Sequence, residues 1–361
     1  MNGETRPPRP RALVVAASLS PLPDAEREGK LRLDMNENHW GPSTRALAAL
    51  ARLEENQGER VSAYAFYDQL RQRLADSLKV PPDEIVLTAG ADEAISALFD
   101  AFVDPGQAVL LAWPTFVTFA LEAASVGGRI ERVPYGLDLT FPGADFLAKM
   151  RERPRLAAII NPANPTGTAV EVDFVGQLCR ESPETLVVVD EAYYDYHGET
   201  ALSLRPRPAN LAVVRTFSKA YGLAGLRIGY AVAHPQVVLS LRKVLAPFSV
   251  SVAALAAALG ALEDPWHLAS HVQALLLEMK LLVAALEDRG FPTRSTRANF
   301  VLVRVGAGAP ELTAALAQRG ILVADRSGEP PLCGFLRITV GRHEQNQRLL
   351  DALEAEVSRL A

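Results

Sequence analysis

Six short apolar runs, at residues 85–88, 108–113, 156–160, 185–190, 211–215 and 228–233, constrain the fold more than any other feature. Each is apolar at consecutive rather than alternate positions, with polar residues only at its ends, which requires burial on both faces of a sheet. Stretches of helical periodicity, such as 91–102 and 172–179, lie between several of them. Buried strands joined by crossover helices predict an α/β domain with a largely parallel sheet. Polar clusters follow the strands: Gly90-Ala91-Asp92, residues 161–167, Asp190 to Tyr193, and Ser218-Lys219. Open α/β sheets take ligands at the carboxyl ends of their strands, so these clusters should converge on one site.

After about residue 236 the pattern changes. A long Ala/Leu-rich helical region (249–289) precedes strand-like segments at 298–305 and 335–340; helical patterns fall at 311–319 and after His343. This outlines a smaller α+β domain. The expected division is an N-terminal arm at 1–35, a large domain at 36–248 and a small domain at 249–361. A chain of 361 residues, 49% hydrophobic, is long enough to give each domain a core.

The net charge of −5 leaves no overall basic field for nucleic acid. The two cysteines, Cys179 and Cys333, form no metal-type pair and suit a reducing compartment, here expected to be the cytoplasm. Arg6, Arg9 and Arg11 before the apolar run 12–17 resemble an export signal, but the run is short and the segment reads better as a Pro-rich tail. Residues 244–262 carry no charge and approach bilayer-spanning length. Their Pro247, Gly260 and Ala richness predict a buried helix between domains instead of a membrane span.

Among 31 arginines stand only six lysines, so each lysine merits attention. Lys219 follows an apolar strand in a Gly-rich loop, where burial would lower its pKa and make it nucleophilic toward an aldehyde. Most loop lysines are merely solvated. Thr216, Ser218 and Arg227 lie close enough in sequence to hold a phosphate together. Asp190 ends a buried strand, where a carboxylate needs a partner such as a pyridinium nitrogen, or serves as a helix cap. Asn164 sits in a loop stiffened by two prolines and could be no more than part of a turn. Gly90-Ala91-Asp92-Glu93 opens a helix, whose free N–H groups favour a phosphate. Phe116 could stack on a flat ring or fill core. His267 and His271 have the spacing of two metal ligands on a helix, but no third ligand follows, and both read as solvated surface residues. No G-x-G-x-x-G follows the first strand of the sheet, and neither a P-loop nor a G-x-S-x-G elbow is present.

In their order and spacing these clusters resemble the fold-type I aminotransferases that use pyridoxal 5′-phosphate, above all the histidinol-phosphate aminotransferase group. The resemblance runs from about Leu33 to the last helix. It is carried by Asn36-Glu37-Asn38, Gly90 to Glu93, residues 161–167, Asp190 to Tyr193, Ser218-Lys219 with Arg227, Ala298-Asn299-Phe300, and Leu336 to Gly341. The resemblance implies a mostly parallel seven-stranded sheet in the large domain, a small α+β domain, and a homodimer. It implies that Lys219 bonds the cofactor aldehyde and later shuttles a proton, and that Asp190 pairs with the ring nitrogen. Asn164 and Tyr193 would hydrogen-bond the ring's 3′ oxygen, with Phe116 over one face. The amides of Ala91 and Asp92, with Thr216, Ser218 and Arg227, would hold the phosphate. Arg337 would fork onto the substrate α-carboxylate, with Asn38 also near the substrate and Tyr64 reaching into the neighbouring subunit's site. No metal is implied.

Three departures from the family pattern fall on substrate recognition. The group usually carries an arginine for the substrate phosphate thirteen residues before the carboxylate arginine; here that position is Ala324, with Arg326 two residues later. His39 stands where proline commonly follows Asn38. The Tyr64 region reads Ala63-Tyr64-Ala65-Phe66-Tyr67 and looks shortened. The expected activity is histidinol-phosphate/2-oxoglutarate transamination. Alternatives within the fold are an aromatic or other amino-acid aminotransferase and a phospho-amino-acid decarboxylase. A binding protein that kept the fold without catalysis would have lost Lys219, Asp190 or Arg227, and all three are present.

Overall fold

The structure, a computed structural model, describes residues 27–204 and 206–360. The export-like segment 1–17 lies outside the described residues. The chain enters through β1 (Leu31–Arg32) and three helices, α1 (Thr44–Ala51), α2 (Glu55–Ser62) and α3 (Asp68–Leu78). The main sheet follows: β2 (Ile85–Thr88), β3 (Ala108–Trp113), β4 (Arg129–Pro134), β5 (Leu156–Ile160), β6 (Leu186–Asp190), β7 (Leu211–Thr216) and β8 (Gly229–Ala233). Their spatial order is β2-β8-β7-β6-β5-β3-β4. Strands β7, β6, β5, β3 and β4 are parallel, and β8 runs antiparallel to both of its neighbours.

Strands β5, β6 and β7 are buried at every residue, as uninterrupted apolar runs require. The sequence reading did not anticipate β4. It is an edge strand whose Arg129, Glu131 and Arg132 break the apolar run, and charges of this kind protect an open sheet edge. Its Glu131 pairs with Arg129 and lies 3.7 Å from Lys149.

Helices α4 (Gly90–Phe102), α5 (Val117–Ser125), α6 (Gly143–Met150), α7 (Val172–Glu181), the single turn α8 (Tyr194–His197) and α9 (Pro235–Val244) surround this sheet. The Ala/Leu-rich region then divides into α10 (Val252–Leu262) and α11 (Pro265–Asp288). Ser251 Oγ caps α10 by accepting from the Ala254 N–H at 3.1 Å, and Asp264 caps α11 through His267 N at 3.2 Å. The uncharged stretch 244–262 is therefore not one helix. By length and composition α11 could cross a membrane. One face of it, His271, Leu275, Met279, Leu282 and Leu286 at helical spacing, is buried against the protein.

Two cores form. The first takes residues from Ala46 to Ala261, including Ala254, Leu255, Ala257, Ala258 and Ala261 of α10. Helix α10, which follows the expected division at 248/249, thus packs with the first core. α10 packs so closely on α1 that a Cβ at Gly260 would lie 2.6 Å from the Arg45 carbonyl oxygen. The second core begins at α11. It is built on an antiparallel sheet of β9 (Thr293–Ser295), β10 (Phe300–Arg304), β12 (Ala324–Asp325) and β13 (Phe335–Thr339), ordered β12-β13-β10-β9. Before β12, β11 (Ile321–Leu322) pairs in parallel with β1, so Leu31 and Leu33 of the expected arm join this core. Helices α12 (Ala309–Gln318) and α13 (His343–Leu360) complete it. Tyr193, Tyr196 and Ala220, from the segments that follow β6 and β7 at the carboxyl edge of the large sheet, also pack into the second core. The smaller unit therefore sits against that edge.

Candidate active site

Because the strands are parallel, Thr88, Ile160, Asp190 and Thr216 end at one edge of the large sheet. The register sets Asp190 opposite Ile160 and Val214, while Gly229 at the start of β8 faces both Thr88 and Thr216. Only glycine fits at 229, since a Cβ there would lie 2.6 Å from Ala91 N. That close approach lays the first turn of α4 against the loop carrying Lys219 and Arg227.

Gly90 opens α4 with φ +85°, and a Cβ on it would meet an Arg227 nitrogen at 2.6 Å. Arg227 Nη2 donates to Asp92 at 2.9 Å, in a half-exposed pair worth little in water. Its Nη1 reaches Ser218 Oγ at 3.4 Å, and Thr216 Oγ1 lies 2.9 Å from that same hydroxyl. A helix N-terminus, two hydroxyls and a guanidinium thus converge as an anion cradle.

Asp190 is 2% exposed, and its Oδ1 accepts from Ala192 N at 3.0 Å. Burial pushes its carboxyl up to about 7, with the neighbouring Asp92 and Glu191 carboxylates adding to the rise. Lys219 sits nearby with Nζ donating to the Met35 carbonyl at 3.1 Å. Burial, then the Arg337 charge, bring its ammonium down to about 8. Tyr193 lies between the two cores, its ring 5.9 Å from Lys219 Nζ and its hydroxyl accepting from Asn36 Nδ2 at 2.7 Å. A buried carboxyl short of a cation, a destabilised ammonium and an anion cradle fit the ring nitrogen, aldehyde and phosphate of pyridoxal phosphate.

Asn164 reaches the same space from the loop after β5. Asn161 clamps that loop through paired bonds to Val170, at 2.8 and 2.9 Å. Gly167 lies so close to Thr296 that a Cβ would overlap its side chain at 2.2 Å. Asn164 Oδ1 accepts from Arg337, which also donates to the Asp34 carbonyl. Arg337 is buried on β13, burial lowers it to about 10, and its Nε has no partner among the described residues.

Ala324 stands directly opposite Arg337 across the β12–β13 pair, so the two side chains share a face. Arg326 lies two residues further along, and its charge contributes to lowering Arg337. Its Nη2 is held by both oxygens of Glu329 at 2.5 Å, and its Nε has no partner among the described residues.

The remaining expected residues are placed as follows. Asn38 Nδ2 faces the carbonyls of Lys219 and Ala220 at 3.2 and 3.0 Å, and its Oδ1 accepts from Trp40 and Gly41. It thereby braces the lysine loop. Tyr64 is 76% exposed and stacks on Phe248 at 4.6 Å. Phe116 is half-buried against the first core. His271, expected at the surface, is 3% exposed beneath Trp40. Among the described residues no cluster of three His, Cys, Asp or Glu could hold a metal ion.

The sequence reading left Asn36 without a role. It has φ +55°, donates to Tyr193, and receives Asn299 Nδ2 on its carbonyl at 3.0 Å. Its place in the Asn36-Glu37-Asn38 motif was the available signal. The Glu191–Arg215 pair, 2.8 Å apart and buried, was also missed; it stiffens the strand ends beneath Asp190 and Thr216.

Comparison with known proteins agrees with this geometry. The family model for aminotransferase class I and II matches residues 28–353. The chain belongs to the class I and II aminotransferases. It is 39% identical over 333 residues to a histidinol-phosphate aminotransferase of Roseiflexus castenholzii, covering 90% of this chain and 89% of the relative. The structure of histidinol-phosphate aminotransferase from Sinorhizobium meliloti, solved with pyridoxal-5′-phosphate, aligns with TM-score 0.88 and 27% identity over 98% of both chains. An L-threonine-O-3-phosphate decarboxylase from Porphyromonas gingivalis aligns with TM-score 0.78 and 26% identity, over 91% of this chain and 99% of that one. The protein is thus a fold-type I aminotransferase, and pyridoxal phosphate is its cofactor.

Proposed function

We propose that this aminotransferase takes the amino group of histidinol phosphate, with 2-oxoglutarate as acceptor, in histidine biosynthesis. Bound pyridoxal phosphate supplies an electron sink for negative charge at the donor's Cα. In this reading the α4 N–H groups of Ala91 and Asp92, with Thr216, Ser218 and Arg227, hold its phosphate. Asp190 keeps a proton at the ring nitrogen. Asn164 and Tyr193 hydrogen-bond the ring oxygen, and Phe116 covers one face. Lys219 Nζ, whose ammonium burial lowers to about 8, anchors the cofactor and carries the Cα proton. Arg337 receives the carboxylate of whichever amino or oxo acid is bound.

The observation that carries the substrate is Arg326 beside Arg337. A second guanidinium on this face suits a donor bearing phosphate, and its half-exposed Glu329 is a weak competitor. The reading includes a homodimer, supported by Tyr64, Phe66 and Phe248, large apolar side chains left exposed by this chain. It also includes a cytoplasmic location, which suits free Cys179 and Cys333. The test is a half-reaction screen with histidinol phosphate, phenylalanine, tyrosine, glutamate and threonine phosphate, following the cofactor's visible absorbance. Histidinol phosphate should lead by orders of magnitude in kcat/KM. A phenylalanine lead would overturn the substrate and leave transamination standing; carbon dioxide release from threonine phosphate would point to decarboxylation.

A further inference from the structure

The two histidines of α11 both reach the segment that crosses the active site. His267 Nε2 lies 3.2 Å from the Gly41 carbonyl, and one turn later His271 Nε2 lies 3.1 Å from Asn38 Nδ2. The Asn38 amide can point only one way, because its oxygen already accepts from the Trp40 and Gly41 N–H groups at 2.7 and 3.1 Å. Its two N–H protons therefore face three acceptors: His271 Nε2 and the carbonyls of Lys219 and Ala220. Nε2 must then offer a lone pair, which puts the imidazole proton on Nδ1. The Tyr196 hydroxyl, 3.3 Å away, points at the same nitrogen. Trp40 closes over the ring at 5.0 Å.

We propose that His271 is a positioning residue for transamination: as an obligate acceptor it fixes the Asn38 amide and, through it, the main chain of Lys219. A protonated ring would set an N–H against the Asn38 N–H, and burial keeps the imidazole neutral by lowering it to about 4. Lys219 is held at both ends by one segment, its amine by the Met35 carbonyl and its main chain by Asn38. Without the acceptor at 271, the two carbonyls alone hold the Asn38 amide, and its angle over the lysine loop is no longer fixed from the α11 side. Nζ then loses its aim at the proton it must carry. The ring acts through Asn38 and Tyr196, its hydrogen-bonding neighbours. The inference rests on the proposed role of Lys219, which covalent mapping tests separately.

The decisive comparison is His271→Gln with His271→Met, side chains of similar length of which only the first offers an oxygen acceptor. In the holoenzyme the Met variant should lose about 10- to 100-fold in kcat with KM within about threefold, since a misaimed reacting group lowers rate more than binding. The Gln variant should recover to within about threefold of wild type. A second readout uses the cofactor-free protein. Gly222 N–H bonds to the Lys219 carbonyl at 3.1 Å. Deuterium exchange there should quicken in the Met variant and return to normal in the Gln variant. If the Met protein does not fold, His271→Phe makes the same comparison with a ring beneath Trp40. Equal loss in acceptor and non-acceptor variants would reduce His271 to packing. Wild-type kcat and exchange in the Met or Phe protein would remove it from the mechanism.

Discussion

Removing the Arg326 guanidinium by Arg326→Ala tests how this site recognises a phosphorylated donor. In the free protein Arg326 is tied to Glu329, with side chains 20% and 36% exposed. An ion pair that open to solvent contributes at most about 1 kcal/mol, so displacing Glu329 is cheap. A charge-assisted bond to phosphate contributes roughly 1.5–3 kcal/mol. Even against the full 1 kcal/mol, the phosphate therefore wins by about 0.5–2 kcal/mol, or roughly 2- to 30-fold. Arg326→Ala should lower kcat/KM for histidinol phosphate by that factor, chiefly through KM, and leave unphosphorylated donors unchanged. Glu329→Gln removes the competitor and should improve KM for the phosphorylated donor by up to about fivefold. The assay is steady-state transamination with both donor types at fixed ionic strength. Equal losses on both donors would place Arg326 in structure, and no loss on histidinol phosphate would mean that Ala324 has no replacement. Worse binding in Glu329→Gln would refute the competition.

Borohydride treatment of the holoenzyme should fix the cofactor to Lys219 alone, and in the cofactor-free protein acylation of that amine should have its midpoint near pH 8; label on Lys149 or Lys243 would mean the wrong lysine was chosen. Asp190→Asn should cut kcat by about 10²–10³, as loss of a charge that acts in the transition state does, measured with saturating donor. The same variant has a stability signature in the cofactor-free protein. A carboxyl raised from 3.8 to about 7 binds its proton more tightly when folded, so its contribution to stability is present below pH 3.8 and lost as pH rises through about 7. The Tm of the Asn protein relative to wild type should therefore climb between pH 4 and 7 and level off above; a flat difference would refute the raised value. Gly90→Ala should lower Tm modestly through its φ of +85° and weaken cofactor affinity about 10- to 150-fold by displacing Arg227, as read by fluorescence titration.

Strands β2, β3, β5, β6 and β7 were legible because a strand buried on both faces has no choice but to be apolar throughout. Strand β4 was not, because the charged residues Arg129, Glu131 and Arg132 at its open edge interrupt the apolar run. The division into α10 and α11 was missed because Ala/Leu-rich helical sequence runs on both sides of Glu263-Asp264; the Pro265 ring and the Asp264 cap mark the new start. The reactive residues were visible as types at strand ends, where parallel strands gather their carboxyl termini.

Sequence by itself therefore determined the α/β plan, the edge at which chemistry gathers, and the residue types present there. Partnerships across distance were decided by tertiary structure alone. Asn36 meets Tyr193 across 157 positions, Arg337 meets Asn164 across 173, and Asn38 meets the Lys219 carbonyl across 181. Periodicity reports which face of an element is buried, but a hydrogen bond depends on register to within an ångström. The same limit hid His271: its helix could be read, but the loop that descends onto that turn could not. Ala324 lies opposite Arg337 because β12 and β13 align in one register and no other, and a shift of one residue would turn that face away from the site.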